Sequence, residues 1–175
     1  MSDDGFIQDD GGRTAAGFKG SAGDCVARSI AIASGRPYAE IYAALADGTG
    51  SQRATTRSAK RSRSARNGIN VKRKWFRDYM ASLGFRWTPT MHIGSGCTVH
   101  LDAAELPPGR LVVSVSKHYT AVIDGVIRDT HDPRRDVHCV EPDHGQPLRA
   151  GQWRNSNGVC SVQRRCVYGY WEYAT

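Results

Sequence analysis

Long apolar runs are missing from this sequence. No stretch approaches the length of a membrane span, and the first residues are acidic and rich in glycine where a secretion signal would be basic and then apolar. We therefore expect neither a membrane anchor nor a signal peptide, and we expect a protein of the cytoplasm.

Cysteine pairs of the CxxC type are also missing, and the five cysteines are an odd number. Both features favour reduced, free thiols over a disulfide framework. A chain of 175 residues buries roughly two thirds of its unfolded surface and does not need disulfides for stability. We expect one domain over residues 21–175, preceded by a flexible lead-in over residues 1–20.

Acidic residues are absent from one long stretch. Residues 51–75 contain nine Lys or Arg and no Asp or Glu, so the net charge of +7 arises there and the rest of the chain sums to about −2. Residues 48–70 also have few apolar side chains, which predicts an exposed basic loop. The loop is either a solvated insertion or a surface for nucleic acid or an acidic protein, although residues 51–66 lack the aromatics that stack on single strands. Its candidate contact residues are Arg53, Arg57, Lys60, Arg61, Arg63 and Arg66.

The stretch around Cys25 predicts a buried helix with a thiol in its first turn. Apolar residues recur at helical spacing from Val26 to Ala33. Asp24 is a capable N-cap, and Gly35 is typical of a helix end. The helix dipole and the unpaired N–H groups of a first turn favour a thiolate and could hold an oxyanion. The alternative is that Cys25 is a small buried hydrophobe.

The order of the remaining elements predicts an α+β domain. Two more helices and then antiparallel strands are indicated by the periodicity, and residues 134–164 are predicted to be an irregular insertion because Pro and Gly interrupt them. The predicted helices are Tyr38–Leu45 and Phe76–Leu83, and the predicted strands are Phe85–Thr88, Leu111–Ser116, Lys117–Ile123, Val126–Thr130 and Arg165–Tyr173.

His118 is the candidate partner of Cys25 because it lies on the first strand of a predicted hairpin. A thiol–imidazole pair needs a third group that orients the ring, and two carboxylates are within reach. A two-residue turn at Asp124-Gly125 puts Asp129 on the face of His118. A three-residue turn with a glycine bulge puts Asp132 there instead. The sequence leaves this register open.

Other histidines and cysteines form weaker candidates. His131 is an alternative base at a strand end. A partial metal set is present, but its spacings are not those of structural zinc sites, and we expect no metal and no other cofactor. The residues of that set are His92, Cys97, His100, His138, Cys139, His144, Cys160 and Cys166.

The order of a thiol helix, a histidine strand and then an acid resembles the papain-like cysteine peptidases and their relatives, which include C39-like peptidases, NlpC/P60 hydrolases and transglutaminases. The C39-like pattern of a histidine followed by Asp-Pro is similar to His118 and Asp132-Pro133, which favours Asp132 over Asp129. A closer likeness is to uncharacterised phage and prophage proteins with strings like GDCVARSIAIASG, KHYTAVIDGVIRDTHD and CVYGYW. It covers most of the chain outside the basic loop and residues 134–164.

This resemblance implies a papain-like fold, with N-terminal helices packed on a C-terminal antiparallel sheet, and a phage-encoded thiol hydrolase in the host cytoplasm. It implies that Cys25 attacks a peptide or isopeptide bond, that His118 moves the proton and that Asp132 or Asp129 orients the ring. The family's oxyanion glutamine precedes the cysteine by six positions, where this sequence has Lys19; Lys19 and Ser21 are candidate donors. The alternative function is a catalytically weak scaffold that binds nucleic acid or an acidic host protein through the basic loop.

Overall fold

The computed structural model describes residues 5–21, 23–51, 64–66, 69–134, 137–140, 152–155, 158–162 and 164–174. In chain order the elements are β1 (Phe6–Gln8), α1 (Cys25–Ser34), α2 (Tyr38–Gly50), α3 (Lys74–Ser82), β2 (Phe85–Pro89), β3 (Arg110–Val115), β4 (His118–Ile123), β5 (Val126–Asp129), β6 (Val137–Val140), β7 (Gln152–Asn155), β8 (Gly158–Val162) and β9 (Val167–Tyr173).

A six-stranded sheet forms the centre of the fold, in the order β1-β5-β4-β3-β9-β2. All neighbouring strands are antiparallel except β1 and β5, which are parallel. Together with the three helices, this sheet confirms the predicted α+β class. The expectation of a purely antiparallel sheet is wrong at one edge, because the N-terminal segment adds β1 there.

The hairpin of β4 and β5 has the two-residue turn that Asp124-Gly125 indicates. Asp124 has φ 49° and Gly125 has φ 81°, and positive φ at both turn residues is the geometry that matches the twist of the two strands. Val122 consequently pairs with Ile127. This register decides which acid meets His118.

Two hydrophobic clusters lie on either side of β3, because its side chains alternate between the sheet faces. Val112 joins the cluster that packs against the helices, together with residues such as Ile30, Leu45 and Phe76. The other cluster, here called the aliphatic cluster, contains Leu101, Leu106, Leu111, Val113, Val115, Val122, Ile127 and Val167. The sheet therefore has a buried core on both faces.

The described part of the N-terminal lead-in, residues 5–20, is more ordered than the sequence suggested. Phe6–Gln8 pair with β5, and Arg13 is buried. The Arg13 side chain donates to the backbone oxygens of Phe18 and Lys19 and so ties residues 13–19 into a compact loop. Composition could not show this, because one buried arginine rather than an apolar pattern holds the segment.

The predicted irregular insertion over residues 134–164 contains a second sheet. Its strands β6, β8 and β7 are antiparallel neighbours in that order. The interpretation as a plain loop is therefore wrong for residues 137–140, 152–155 and 158–162. Apart from Gly158, which begins β8, the prolines and glycines of this stretch lie between the short strands.

The expectation that the cysteines are free is wrong for one pair. Cys97 and Cys166 form a disulfide that closes a loop across a sequence separation of 69 residues. Cys166 lies close to the Cys97 segment because its backbone forms an isolated antiparallel bridge with His100. Spacing along the chain gave no sign of the pairing, since it depends on how the segment before β3 folds over β9.

Candidate active site

Cys25 opens α1, as the periodicity predicted, and Gly35 ends the helix in the left-handed conformation. Asp24 does not cap the helix through its side chain. The N–H groups of the first turn therefore receive no hydrogen bond from the Asp24 side chain, and such groups at a helix start can donate to a ligand. Among the residues whose side chains are described, Cys25 is the free cysteine, and it is partly accessible to solvent.

His118 and Asp129 form the most direct polar contact of the site. His118 Nε2 lies 2.7 Å from Asp129 Oδ2. The register of the hairpin puts both residues on one face, and both side chains are largely buried. Since Nε2 is occupied by the carboxylate, Nδ1 is the ring nitrogen that remains for the thiol.

Asp132 does not reach the histidine, contrary to the preference that the C39-like pattern suggested. Its carboxylate instead forms a salt bridge with Arg134, with Oδ2 2.6 Å from Nη2. The reason is the two-residue turn, which puts Asp129 on the face of the hairpin that carries His118 and leaves Asp132 beyond the end of β5. The structure thus places Asp129, and not Asp132, against the imidazole.

The Cys25 thiol and the His118 ring line the same cavity, although the two residues are far apart in the chain. Burial by itself would raise the pKa of the thiol. The hydrogen bonds with His118 and with the backbone of Tyr119 oppose burial, as do the positive charges of His118 and Arg28, and the net effect is a lowered pKa. The site therefore favours the thiolate.

The opposite shift occurs on the histidine. Burial would lower the pKa of His118, but its hydrogen bonds with Asp129 and Cys25 favour the protonated ring and raise that pKa to about 9. Burial would likewise raise the pKa of Asp129, yet the hydrogen bond from His118 and the charges of His118 and Arg28 keep it below its ordinary value. The three shifts favour a thiolate–imidazolium pair backed by a carboxylate.

Arg28 completes the site, and the sequence reasoning missed it. It lies one turn after Cys25 and is 2% exposed. Its Nη1 donates to Asp129 Oδ1 at 2.9 Å and to Thr130 Oγ1 at 2.7 Å. One oxygen of Asp129 is thus held by Arg28, while the other faces His118. The available signal was a single charged residue in a helix of mainly apolar residues, which is unusual unless the charge is paired.

Asp24 extends the same network away from the thiol. Arg28 Nε donates to Asp24 Oδ1 at 3.0 Å, and Arg13 Nε donates to Oδ2 at 2.8 Å. The Tyr38 hydroxyl also donates to Oδ2. Burial would raise the pKa of Asp24, but these donors lower it. The carboxylate that was expected to cap α1 instead serves as the buried counter-ion of two arginines.

The candidate oxyanion donors Lys19 and Ser21 are not directed at the thiol. Both are exposed, and neither lines the cavity at Cys25. The backbone oxygen of Lys19 accepts from Arg13, and Ser21 accepts from Arg66 through both its backbone oxygen and its hydroxyl. The first-turn N–H groups of α1 adjoin Cys25 and are the candidate donors that we consider instead.

The basic-loop candidates fall largely outside the described residues. Arg53, Arg57, Lys60, Arg61 and Arg63 lie there, whereas Arg66 is described and bonds to Ser21. The alternative base His131 is exposed, and its ring centre lies 5.2 Å from that of His118.

The candidate metal ligands do not form a metal-binding cluster in the part of the chain that the structure describes. No group of three or more His, Cys, Asp or Glu side chains there could hold a metal ion. Cys97 is bonded to Cys166, and His100 Nδ1 lies 3.0 Å from Glu105 Oε2. His138, Cys139, His144 and Cys160 are not among the residues whose side chains are described.

A cavity of 330 Å³ lies over the thiol. Cys25 and His118 line it together with mainly apolar side chains, among them Ile69, Val71 and Tyr168. A concave, mainly apolar pocket with a few convergent polar groups is typical of a small-molecule or substrate site. The nucleophile candidate thus faces a space that an acyl group could enter.

Among the described residues, no helix is both long and apolar enough to cross a membrane. No protein-family model, no curated protein and no solved structure matches the chain.

Proposed function

We propose that this protein is a cysteine-dependent hydrolase with a papain-like arrangement, in which Cys25, His118 and Asp129 act as nucleophile, base and orienting acid. The observation that carries the proposal is that Cys25, at the start of α1, and His118 line one cavity, while His118 Nε2 lies 2.7 Å from the Asp129 carboxylate. Lowered thiol pKa and raised imidazole pKa are the shifts that such a nucleophile needs. A peptide or isopeptide bond is the proposed substrate.

The first half-reaction is acylation. The Cys25 thiolate attacks the carbonyl carbon, a C–S bond forms, and the carbonyl π electrons move to oxygen, where first-turn N–H groups of α1 stabilise the negative charge. The electrons then return, the C–N bond breaks, and the His118 Nδ1 proton passes to the departing amine. An acyl thioester on Cys25 remains.

The second half-reaction releases the acyl group. Neutral His118 takes a proton from water, and the resulting hydroxide attacks the thioester carbonyl carbon. The C–S bond breaks, the carboxylic acid leaves, and the imidazolium and thiolate are restored. Asp129 fixes the ring so that Nδ1 faces the thiol throughout, and Arg28 fixes Asp129.

The test is to trap the acyl-enzyme. The native chain is mixed with p-nitrophenyl acetate at pH 6.5, and acetylation of each thiol is followed by intact-mass and peptide mass spectrometry. We expect acetyl transfer to Cys25, followed by slow release, and loss of both steps in Cys25→Ala.

The matched control compares two neighbouring histidines. His118→Ala should slow acetylation of Cys25 by at least about tenfold, which corresponds to one unit of thiol pKa. His131→Ala removes an exposed ring that touches His118 and should leave the rate close to that of the native chain. Equal rates in both variants, or acetylation of Cys25 no faster than that of a free thiol, would contradict the proposal.

A further inference from the structure

The cavity over Cys25 has a neighbour that no step of the proposed chemistry uses. This second cavity measures 510 Å³ and shares Val71, Ser114, Tyr119 and Tyr168 with the first. Four common wall residues mean that the two cavities lie side by side. We refer to the pair as the groove.

Two aromatic side chains in the groove are unusually exposed. Tyr168 is 40% exposed and Trp87 is 36% exposed, and both line the second cavity. Trp87 lies over Gly169, where a Cβ would come within 2.3 Å of the indole, so the strand leaves room for the ring in this position. Exposed aromatics in a concave site are typical anchors for an apolar group of a ligand.

The charges that line the groove have one sign. Lys72 and Arg77 line the second cavity, and Lys117 lines the first. Asp24 is the acid at the wall, and it is 2% exposed and already bonded to two arginines. The exposed lining charge of the described groove is therefore positive.

The two cations of the second cavity are available to a ligand. Arg77 donates from Nη2 to the backbone oxygen of Lys72 at 3.0 Å, and no acidic side chain of the described residues pairs with either cation. Lys74, on the same helix, differs because its Nζ lies 2.7 Å from Asp78 Oδ2 and it lines neither cavity. An anionic group would find unneutralised partners beside the exposed aromatics.

We propose that the groove binds an acidic peptide that carries an aromatic side chain, with the aromatic group against Trp87 and Tyr168 and a carboxylate at Lys72 and Arg77. This assigns a substrate class to the proposed hydrolase and rests on that function for its catalytic meaning. Aromatic and basic side chains also suit single-stranded nucleic acid. A peptide is favoured because the groove leads to a thiol that acts on acyl carbons, and a nucleic acid has none in its backbone.

The experiment measures binding without the nucleophile. Three blocked peptides are titrated into Cys25→Ala by calorimetry: one with a phenylalanine and two glutamates, its glutamine match, and its match with alanine in place of phenylalanine. The first should bind at least about tenfold more tightly than either match, which is about 1.4 kcal/mol. Equal affinities for the three peptides would overturn the inference.

Paired variants locate the charge effect. In Cys25→Ala, the further changes Lys72→Gln and Arg77→Gln should bring the glutamate and glutamine peptides to within about twofold of each other. Lys74→Gln removes a paired cation outside the groove and should retain the preference. Loss of the preference in Lys74→Gln, or its survival without Lys72 and Arg77, would contradict the location.

Protection of the thiol shows that the peptide occupies the groove and not the basic loop. In the native chain, the glutamate peptide should slow alkylation of Cys25 by iodoacetamide, and the two matched peptides should not. Binding without protection, or protection by a short oligothymidylate instead, would overturn the inference. Selective binding with no acyl transfer at Cys25 would keep the groove and refute the hydrolase; acyl transfer with unselective binding would do the reverse.

Discussion

The start of α1 and the aliphatic cluster are both buried, but the first is formed by charged side chains and the second by aliphatic ones. Around the start of α1, Arg13, Asp24, Arg28 and Asp129 are each at most 7% exposed and neutralise one another. The aliphatic cluster consists of leucine, valine and isoleucine side chains. The first region places buried charges near the Cys25 thiol, and the second buries apolar surface.

The two regions should contribute differently to the free energy of unfolding. Each buried aliphatic side chain contributes roughly 1.5–3 kcal/mol. Buried ion pairs contribute little net free energy, because desolvation offsets their attraction, yet removal of one partner is costly. We therefore expect the aliphatic cluster to contribute more net stability than the charge network, and removal of one charged partner to be costly.

The largest expected effect follows from breaking the charge network. Arg28→Met leaves Asp24 and Asp129 buried without their shared cation and should lower the free energy of unfolding by about 3–5 kcal/mol. Urea denaturation at pH 7 measures this. The control Arg36→Met breaks an exposed ion pair with Glu40 and should change the free energy of unfolding by less than about 1 kcal/mol. Equal changes in the two variants would mean that the network behaves like surface charge.

Truncation within the aliphatic cluster tests the other region. Leu111 is fully buried, and Leu111→Ala should lower the free energy of unfolding by about 2–5 kcal/mol. The milder Ile127→Val should lower it by about 0.5–1.5 kcal/mol. The pH profile of Cys25 alkylation should stay unchanged in the folded protein for both. A shifted profile would show that the regions are not separable.

Removal of the disulfide should affect stability and leave the thiol chemistry alone. Cys97→Ser combined with Cys166→Ser opens a loop of 69 residues in sequence separation and should lower the free energy of unfolding by roughly 2–4 kcal/mol. A reducing agent should destabilise the native chain by a similar amount and leave the double variant unaffected. A reductant effect of equal size on both would contradict the pairing.

The smallest expected effect distinguishes the two candidate acids. Asp129→Asn removes the charge that supports the imidazolium and should reduce Cys25 alkylation at pH 6 by about tenfold, or about 1.4 kcal/mol. Asp132→Asn affects a carboxylate paired with Arg134 and should change the rate by less than about twofold, which corresponds to about 0.4 kcal/mol. The reverse ranking would restore the assignment that the C39-like pattern favours.

Local sequence signals predicted the elements that carry the site. The apolar spacing placed a helix start at Cys25, and Asp124-Gly125 predicted the hairpin that carries His118. These features depend on a few neighbouring residues, so they can be read without knowledge of the tertiary structure. The choice between Asp129 and Asp132 could not be predicted in this way, because it depends on the number of residues in the turn.

The charge network and the N-terminal strand were beyond the reach of periodicity. Arg28 pairs with Asp129, 101 positions away, and a helical pattern assigns such an arginine to a polar face. The strand Phe6–Gln8 is too short to show alternation and exists only because β5 offers an edge. The disulfide of Cys97 and Cys166 likewise depends on packing between distant segments.

The central claim is that Cys25 and His118 form a thiolate–imidazolium pair, and the pH dependence of Cys25 alkylation tests it most directly. Iodoacetamide rate constants are measured from pH 5 to 10 on the native chain and on His118→Ala. In the native chain the rate should rise below the ordinary thiol range, level off while the ring is protonated, and change again near pH 9, where His118 loses its proton.

In His118→Ala burial acts on the thiol without the opposing ring, so the account predicts one rise at higher pH and at least about a tenfold lower rate at pH 6. Superimposable profiles for the two proteins would contradict the pair and, with it, the proposed site.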